Sequence, residues 1–170
     1  MNVVAQRYYN NSEGEVHLSW QDVEDAAKHI IKSMKVANFE PDIIISIARS
    51  GLIPASLISY ALGNKELYVI KVDFSKNQRE GSDQELRDSP KISQELSKDI
   101  EGLKVLVVDE MVVSGSTLKV VSSYLGMKSP REVKYAVLYK QPWTEFHPDY
   151  FGDDVKQWPI FPWKRLKKSL

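Results

Sequence analysis

Apolar and polar positions along this chain follow two rhythms, and the switches between them mark out the elements. Val23, Ala26, Ala27, Ile30, Ile31 and Met34 recur at helical spacing, which predicts a helix with one buried stripe. Ser19 opens it, with Asp22 as a short-armed capping-box partner and Leu18 and Val23 spaced as a hydrophobic staple. Pro41 to Ile47 is then almost continuously apolar, the mark of a strand buried on both faces. A small-residue turn, Ala48-Arg49-Ser50-Gly51, leads from it into a helix over Ala55 to Leu62, with Pro54 in the first turn. Leu67 to Phe74, Lys104 to Val108 and Glu132 to Tyr139 are further strand-like runs, and Leu118 to Met127 is amphipathic with helical spacing. Strands alternating with helices predict an α/β fold with a doubly wound, mainly parallel sheet.

Other segments lack a period. Residues 1–16 are polar and read as a loose N-terminal arm. Ser75 to Pro90 is the most polar stretch, a composition that suits either a solvated loop or a flexible lid over a site. Ile92 to Ile100 fits either an extended return or a short helix. Pro148 to Trp163 is too aromatic and too broken by proline to be a helix.

Length and composition narrow the classes. At 170 residues, one domain over 1–170 is expected, with a sizeable core. Lys plus Arg equals Asp plus Glu at 23 each, so no global field draws in nucleic acid or a membrane surface. The absence of cysteine excludes disulfides, thiolate metal sites and thiol nucleophiles. His17, His29 and His147 are too scattered for a histidine metal site. With neither a signal-peptide core nor an apolar run of membrane-spanning length, the expectation is a soluble, cytoplasmic protein.

Candidate chemistry concentrates in Lys104 to Leu118. There a β-branched strand ends in Asp109 and Glu110, and Ser114-Gly115-Ser116-Thr117 follows before a helix. A strand, a small-residue loop and a helix N-terminus aim several backbone N–H groups at one point, which suits a phosphate. The acidic pair beside it is placed to accept hydrogen bonds from sugar hydroxyls. Together they suggest a sugar-phosphate site. Arg49, flanked by small residues at another strand end, is a second anion-site arrangement, and both ends would lie on one edge of a parallel sheet.

The run Val107-Val-Asp-Glu-Met-Val-Val-Ser-Gly-Ser-Thr117 resembles the phosphoribosyl pyrophosphate motif of the type I phosphoribosyltransferases. The resemblance covers roughly residues 18 to 163 and is strongest to small archaeal and bacterial purine enzymes. It implies transfer of phosphoribose to a purine, most simply a 6-oxopurine, with an adenine enzyme or a non-enzymatic nucleotide-binding regulator as alternatives. Asp109 and Glu110 would hold the ribose hydroxyls, Val113, Ser114, Gly115, Ser116 and Thr117 would form the 5-phosphate loop, and Met111 and Val112 would complete the phosphoribosyl pyrophosphate site. Arg49, Ser50 and Gly51 would hold pyrophosphate, in a loop that often contains a non-proline cis peptide. Lys76 or Arg79, on a lid over 75–91, would reach the same group. A base-binding hood over 141–170 would present Trp158 for stacking and the backbone of Pro159 and Ile160 to the purine edge, while Lys140 would donate to the 6-oxo oxygen and N7. Mg²⁺ would arrive mainly on phosphoribosyl pyrophosphate, and a homodimer or higher homo-oligomer is implied.

Two positions depart from the family pattern. The 6-oxopurine enzymes usually carry an Asp where this chain has Val113, and valine cannot act as a base. Ser116 is a milder change. Trp163 is expected in the core or an interface, and Lys164, Arg165, Lys167 and Lys168 as a solvated basic tail.

Overall fold

Three strands, β2 (Ile43–Ala48), β5 (Lys104–Val112) and β6 (Glu132–Lys140), form the middle of the sheet in a computed structural model that describes residues 14–75 and 89–168. They are joined by β3 (Leu67–Ser75), β4 (Ser89–Gln94) and β7 (Tyr150–Asp154) in the order β4-β3-β2-β5-β6-β7. All neighbours are parallel except β3 and β4. The parallel, doubly wound reading is what the fold shows.

Successive strand residues face opposite sides, and this divides the core in two. Ile44, Leu106, Val108, Ala136 and Leu138 pack with helices α1 (Trp20–Val36) and α2 (Leu52–Leu62). Ile43, Ile45, Ile47, Val105, Val107, Tyr135 and Val137 pack with α3 (Ser116–Gly126) on the other side. Because both faces are covered, the central strands are apolar at nearly every position, which is why they stand out in the sequence. Helix α1 begins at its capping box: Asp22 N–H donates to Ser19 Oγ at 3.2 Å, and Ser19 N–H donates back to Asp22 at 2.6 Å. Leu18 and Val23, the staple pair, are both buried.

Several expectations are corrected. Strand β5 does not stop before the acids but runs on to Val112, because β6 stays in register beside it as far as Val112 opposite Lys140. The N-terminal segment is not loose throughout. Glu15–His17 forms β1, paired in parallel with β8 (Trp158–Ile160), and Trp158 N–H donates to Gly14 carbonyl at 2.7 Å. Ile92 belongs to the extended return, since β4 pairs antiparallel with β3. Helix α2 starts at Leu52, ahead of Pro54, and the C-terminus closes with a 3-10 helix over Pro162–Lys168. No helix among the described residues is long and apolar enough to cross a membrane.

Candidate functional site

The C-terminal edge of the sheet gathers the sequence-predicted residues that lie on β2, β5 and β6. Ser46 of β2 is opposite Val108 of β5, so the Ala48–Gly51 turn emerges beside the acidic pair. The Ala48–Arg49 peptide is cis, as the family resemblance implies. Gly51 is required here by space. A Cβ on it would sit 2.4 Å from the Val108 carbonyl oxygen and 2.8 Å from that of Ile47. The loop therefore lies directly on β5, and Ser50 Oγ donates to Asp109 Oδ1 at 2.8 Å.

Asp109 and Glu110 are both buried, and as strand neighbours they point to opposite faces and meet different partners. Asp109 accepts from Ser50 and from the Glu110 N–H, the latter at 2.8 Å. Burial, reinforced by the charge of Glu110, pushes its carboxyl up to about 7, while these two donors and Lys164 pull the other way. Glu110 accepts from Trp163 Nε1 at 3.2 Å on one oxygen and from Lys164 Nζ on the other. Lys164 and Arg165 are exposed, as a basic tail would be, yet both are engaged: Lys164 on Glu110 and Arg165 donating to the Leu18 carbonyl at 2.5 Å. Trp163 stacks on Phe161 at 4.7 Å and touches Trp20 at 5.7 Å between ring centres, so its indole is held in the core side of the hood.

After β5 the chain turns through Val113, Ser114 and Gly115. Gly115 adopts φ +86°, and a Cβ there would lie 2.3 Å from Phe146 Cβ, so only glycine fits both the conformation and the space. Ser114 Oγ lies 3.0 Å from Ser116 Oγ and accepts the Ser116 N–H at 3.3 Å. Gly115, at the N-cap of α3, has no side chain to cap the helix, so first-turn N–H groups beyond that of Ser116 are open toward the turn, an arrangement that suits an anion. Phe146, which covers the turn and meets Tyr135 edge-on, carried no signal in the sequence.

Lys140 ends β6 between Val112 and Asp154. Its ammonium lies 2.5 Å from Asp154 Oδ1 and 4.5 Å from the centre of the Phe151 ring. The next residue, Gln141, was not singled out from the sequence, yet it is fully buried. Its N–H donates to the Val112 carbonyl at 3.0 Å, and its amide nitrogen donates to the Gln157 carbonyl at 3.2 Å. Gln141 thereby ties the end of β6 to the segment that presents Trp158. Trp158 and Ile160 are half-buried in β8, and Pro159 is buried. One backbone edge of β8 is occupied by β1, and the Ile160 carbonyl accepts from Leu18 N–H at 3.1 Å. Lys76 and Arg79 lie outside the described residues, as does most of the 75–91 segment.

Chemically, the edge offers a paired carboxylate set, an uncapped helix start, an exposed arginine beside a glycine turn, and an aromatic hood. Among the described residues, no three His, Asp or Glu side chains gather as a metal cage.

Comparison with known proteins gives a consistent result. A curated xanthine-guanine phosphoribosyltransferase of Idiomarina loihiensis is 26% identical over 155 residues, covering 90% of this chain and 89% of that protein. The corresponding protein of Gluconobacter oxydans is 32% identical over 122 residues, covering 71% and 67%. The crystal structure of a purine phosphoribosyltransferase from Pyrococcus horikoshii superposes with a TM-score of 0.77 at 33% identity, covering 88% of this chain and 93% of that one. The family model described as the phosphoribosyl transferase domain matches residues 14–165, and the chain belongs to that family.

Proposed function

We propose that this protein is a purine phosphoribosyltransferase that moves 5-phosphoribose from phosphoribosyl pyrophosphate to a ring nitrogen of a 6-oxopurine. The observation that carries the reading is the joint between the Arg49–Gly51 turn and Asp109, which brings an anion loop and a ribose-type acid pair to one sheet edge. Its similarity to xanthine-guanine and purine enzymes supports the purine class.

In the reaction the bond from the ribosyl C1 to pyrophosphate breaks, and its electron pair leaves on pyrophosphate. A purine nitrogen then bonds to C1 and the ring loses a proton. C1 passes through oxocarbenium character, so catalysis is positioning plus electrostatics. Asp109 and Glu110 hold the ribose hydroxyls, and the Val113 to Thr117 turn takes the 5-phosphate. Arg49 with the N–H groups of Ser50 and Gly51 takes the leaving pyrophosphate, and Lys76 from the lid completes that set. Lys140 faces the 6-oxo group, and Trp158 stacks on the base with Pro159 and Ile160 along its edge. Mg²⁺ supplies charge neutralisation on the pyrophosphate. The ion would be carried mainly on the substrate's oxygens, with Asp109 and Glu110, already partnered by Ser50, Trp163 and Lys164, left to the ribose.

A homodimer or higher homo-oligomer is part of the reading. Helix α2 carries no charged residue, and Leu52, Leu57 and Tyr60 stand exposed on it at 41%, 38% and 87%. A cytoplasmic location completes it.

Val113 favours a second reading, an adenine enzyme, because that site lacks the acid that 6-oxopurine relatives use. The test is incubation of the pure protein with phosphoribosyl pyrophosphate, magnesium and each base in turn. Nucleotide formation with hypoxanthine, guanine or xanthine supports the proposal. Turnover with adenine alone transfers the assignment to the second reading, and no turnover with any base favours a nucleotide-binding regulator.

A further inference from the structure

Glu110 is only 5% exposed, yet neither of its oxygens is answered by the sheet that carries it. Both are met from the 3-10 helix at the far end of the chain, by Trp163 Nε1 on Oε2 and by Lys164 Nζ on Oε1. That helix is itself fastened at several points. Lys164 N–H donates to the Phe161 carbonyl at 3.0 Å, and Phe161 is fully buried. The Trp163 ring lies between Phe161 and Trp20, and Arg165 reaches the Leu18 carbonyl at the start of α1. A held lysine and a held indole on a buried carboxylate make a built arrangement.

We propose that Trp163 and Lys164 are positioning residues of the phosphoribosyl site, which fix the Glu110 carboxylate for the ribose hydroxyls and set the charge balance of the Asp109–Glu110 pair. The proposal rests on the reading of that pair as the ribose-holding group. A carboxylate offers about four acceptor positions, and the two protein donors leave the others for hydroxyls. Orientation is thus supplied before substrate arrives, which is where positioning groups contribute most. The lysine also acts through space. The charges felt at Asp109 are those of Glu110 on its own strand and Lys164 on the 3-10 helix, and they oppose each other. Arg165, next on the 3-10 helix, donates to the Leu18 carbonyl. Removal of Lys164 therefore leaves two adjacent buried acids without the cation that partners Glu110.

The experiment compares the wild type with Lys164→Met, Lys164→Arg and Trp163→Phe in steady-state kinetics with phosphoribosyl pyrophosphate and the preferred base. The expected result for Lys164→Met is a fall of about tenfold in kcat/KM for phosphoribosyl pyrophosphate, with KM for the base within about twofold. The near-neutral inflection of the kcat/KM profile, which reports the free enzyme, should move to higher pH by about one unit. Lys164→Arg should return the inflection to its wild-type place. Trp163→Phe, which keeps the stack and loses one donor, should give a smaller fall in the same parameter.

If Lys164→Met lowers the melting temperature but leaves the profile and the kinetic split unchanged, the contact is only structural and the proposal is overturned. Should Lys164→Met not fold, Trp163→Phe decides: unchanged kcat/KM for phosphoribosyl pyrophosphate overturns it equally. The double variant Asp109→Asn/Glu110→Gln separates the two layers. Full turnover there removes the ribose reading itself, whereas loss there beside an indifferent Lys164→Met removes only the positioning role.

Discussion

Ser50 Oγ donates to Asp109 Oδ1 at 2.8 Å, joining the turn after β2 to the acidic pair of β5 across 59 residues of chain. Between them lies Gly51, seated on the backbone of Ile47 and Val108. The turn after β2 and the acid pair are therefore one mechanical unit, and a disturbance at either should be felt at the other.

Gly51→Ala tests the seat. The added methyl meets carbonyl oxygens at 2.4 and 2.8 Å, so backbone has to shift. Overpacking of this kind costs ~1–3 kcal/mol, and at this chain length that lowers the melting temperature by ~2–4 °C per kcal/mol. Because the turn is the proposed pyrophosphate loop, KM for phosphoribosyl pyrophosphate should rise with it. A variant with wild-type stability and wild-type KM would show that the turn accommodates a side chain and is not held against β5.

Asp109→Asn tests the electrostatics of the pair without substrate. Asp109 titrates in the folded protein near 7, above an unfolded carboxylate near 3.8. The folded state therefore binds the proton more tightly. Its contribution to stability is fully present below the unfolded value and is lost as pH rises through the folded one. At pH 8 the wild type carries the whole penalty of a buried charge, about 4 kcal/mol from the size of the shift. Asparagine escapes it and can still accept from Ser50. Melting temperatures between pH 4.5 and 8 should show the variant ahead at pH 8 and the gap closing toward acid. A gap that does not change with pH would contradict a raised Asp109.

Lys140→Met tests base choice. The ammonium is paired with an Asp154 that is half-exposed, so loss of the ion pair should cost little stability, ~0–1 kcal/mol. If Lys140 faces a 6-oxo group, KM for guanine or hypoxanthine should rise far more than KM for phosphoribosyl pyrophosphate. A buried donor also discriminates against an exocyclic amine, by leaving it facing a cation without a partner. Adenine as the preferred substrate of the unmodified protein would defeat this assignment.

What was legible in the sequence was what neighbours in the chain decide. The capping box of Ser19 and Asp22 needs only four residues, and β2, β5 and β6 show themselves because strands covered on both faces are apolar through their middles. The turn before α3 was legible for the same reason, through Gly115 and its flanking hydroxyl residues. What escaped depends on distant segments. Glu15–His17 is a strand only because Trp158–Ile160 lies beside it, and nothing in Glu-Val-His announces that. Lys164 sits among basic residues that resemble a solvated end, and only the turn after Pro162 carries it back onto Glu110. Proline at the start of that turn was the available sign, since its fixed φ suits a first helical position. Gln141 was hidden for a different reason: a polar residue after a strand usually meets water, and burial alone distinguishes this one.

Val113 is the position where sequence and proposed chemistry conflict, and it yields the last prediction. A 6-oxopurine must lose a ring proton as the new bond forms, and a valine offers no acceptor. Asp109 of the acid pair is already raised by burial and by Glu110, and it is engaged with Ser50. The unmodified protein should therefore gain rate as pH climbs toward the pKa of the purine, and xanthine, the most acidic of the three bases, should suffer least. Val113→Asp puts a carboxylate in the half-buried turn between Val112 and Ser114. It should lift turnover with hypoxanthine, with a ceiling of ~10²-fold for a positioned base. Its own pKa should be raised, because two carboxylates and the 5-phosphate lie close by, and KM for phosphoribosyl pyrophosphate should rise somewhat for the same reason. The deciding measurement is the pH–rate profile of both proteins with hypoxanthine. The variant should outrun the wild type most in the acid half, where a pre-ionised base is scarce and a general base has most to add. Profiles that coincide in shape and height would mean that proton removal is not what Val113 limits, and an adenine-type enzyme would then be the better account of this chain.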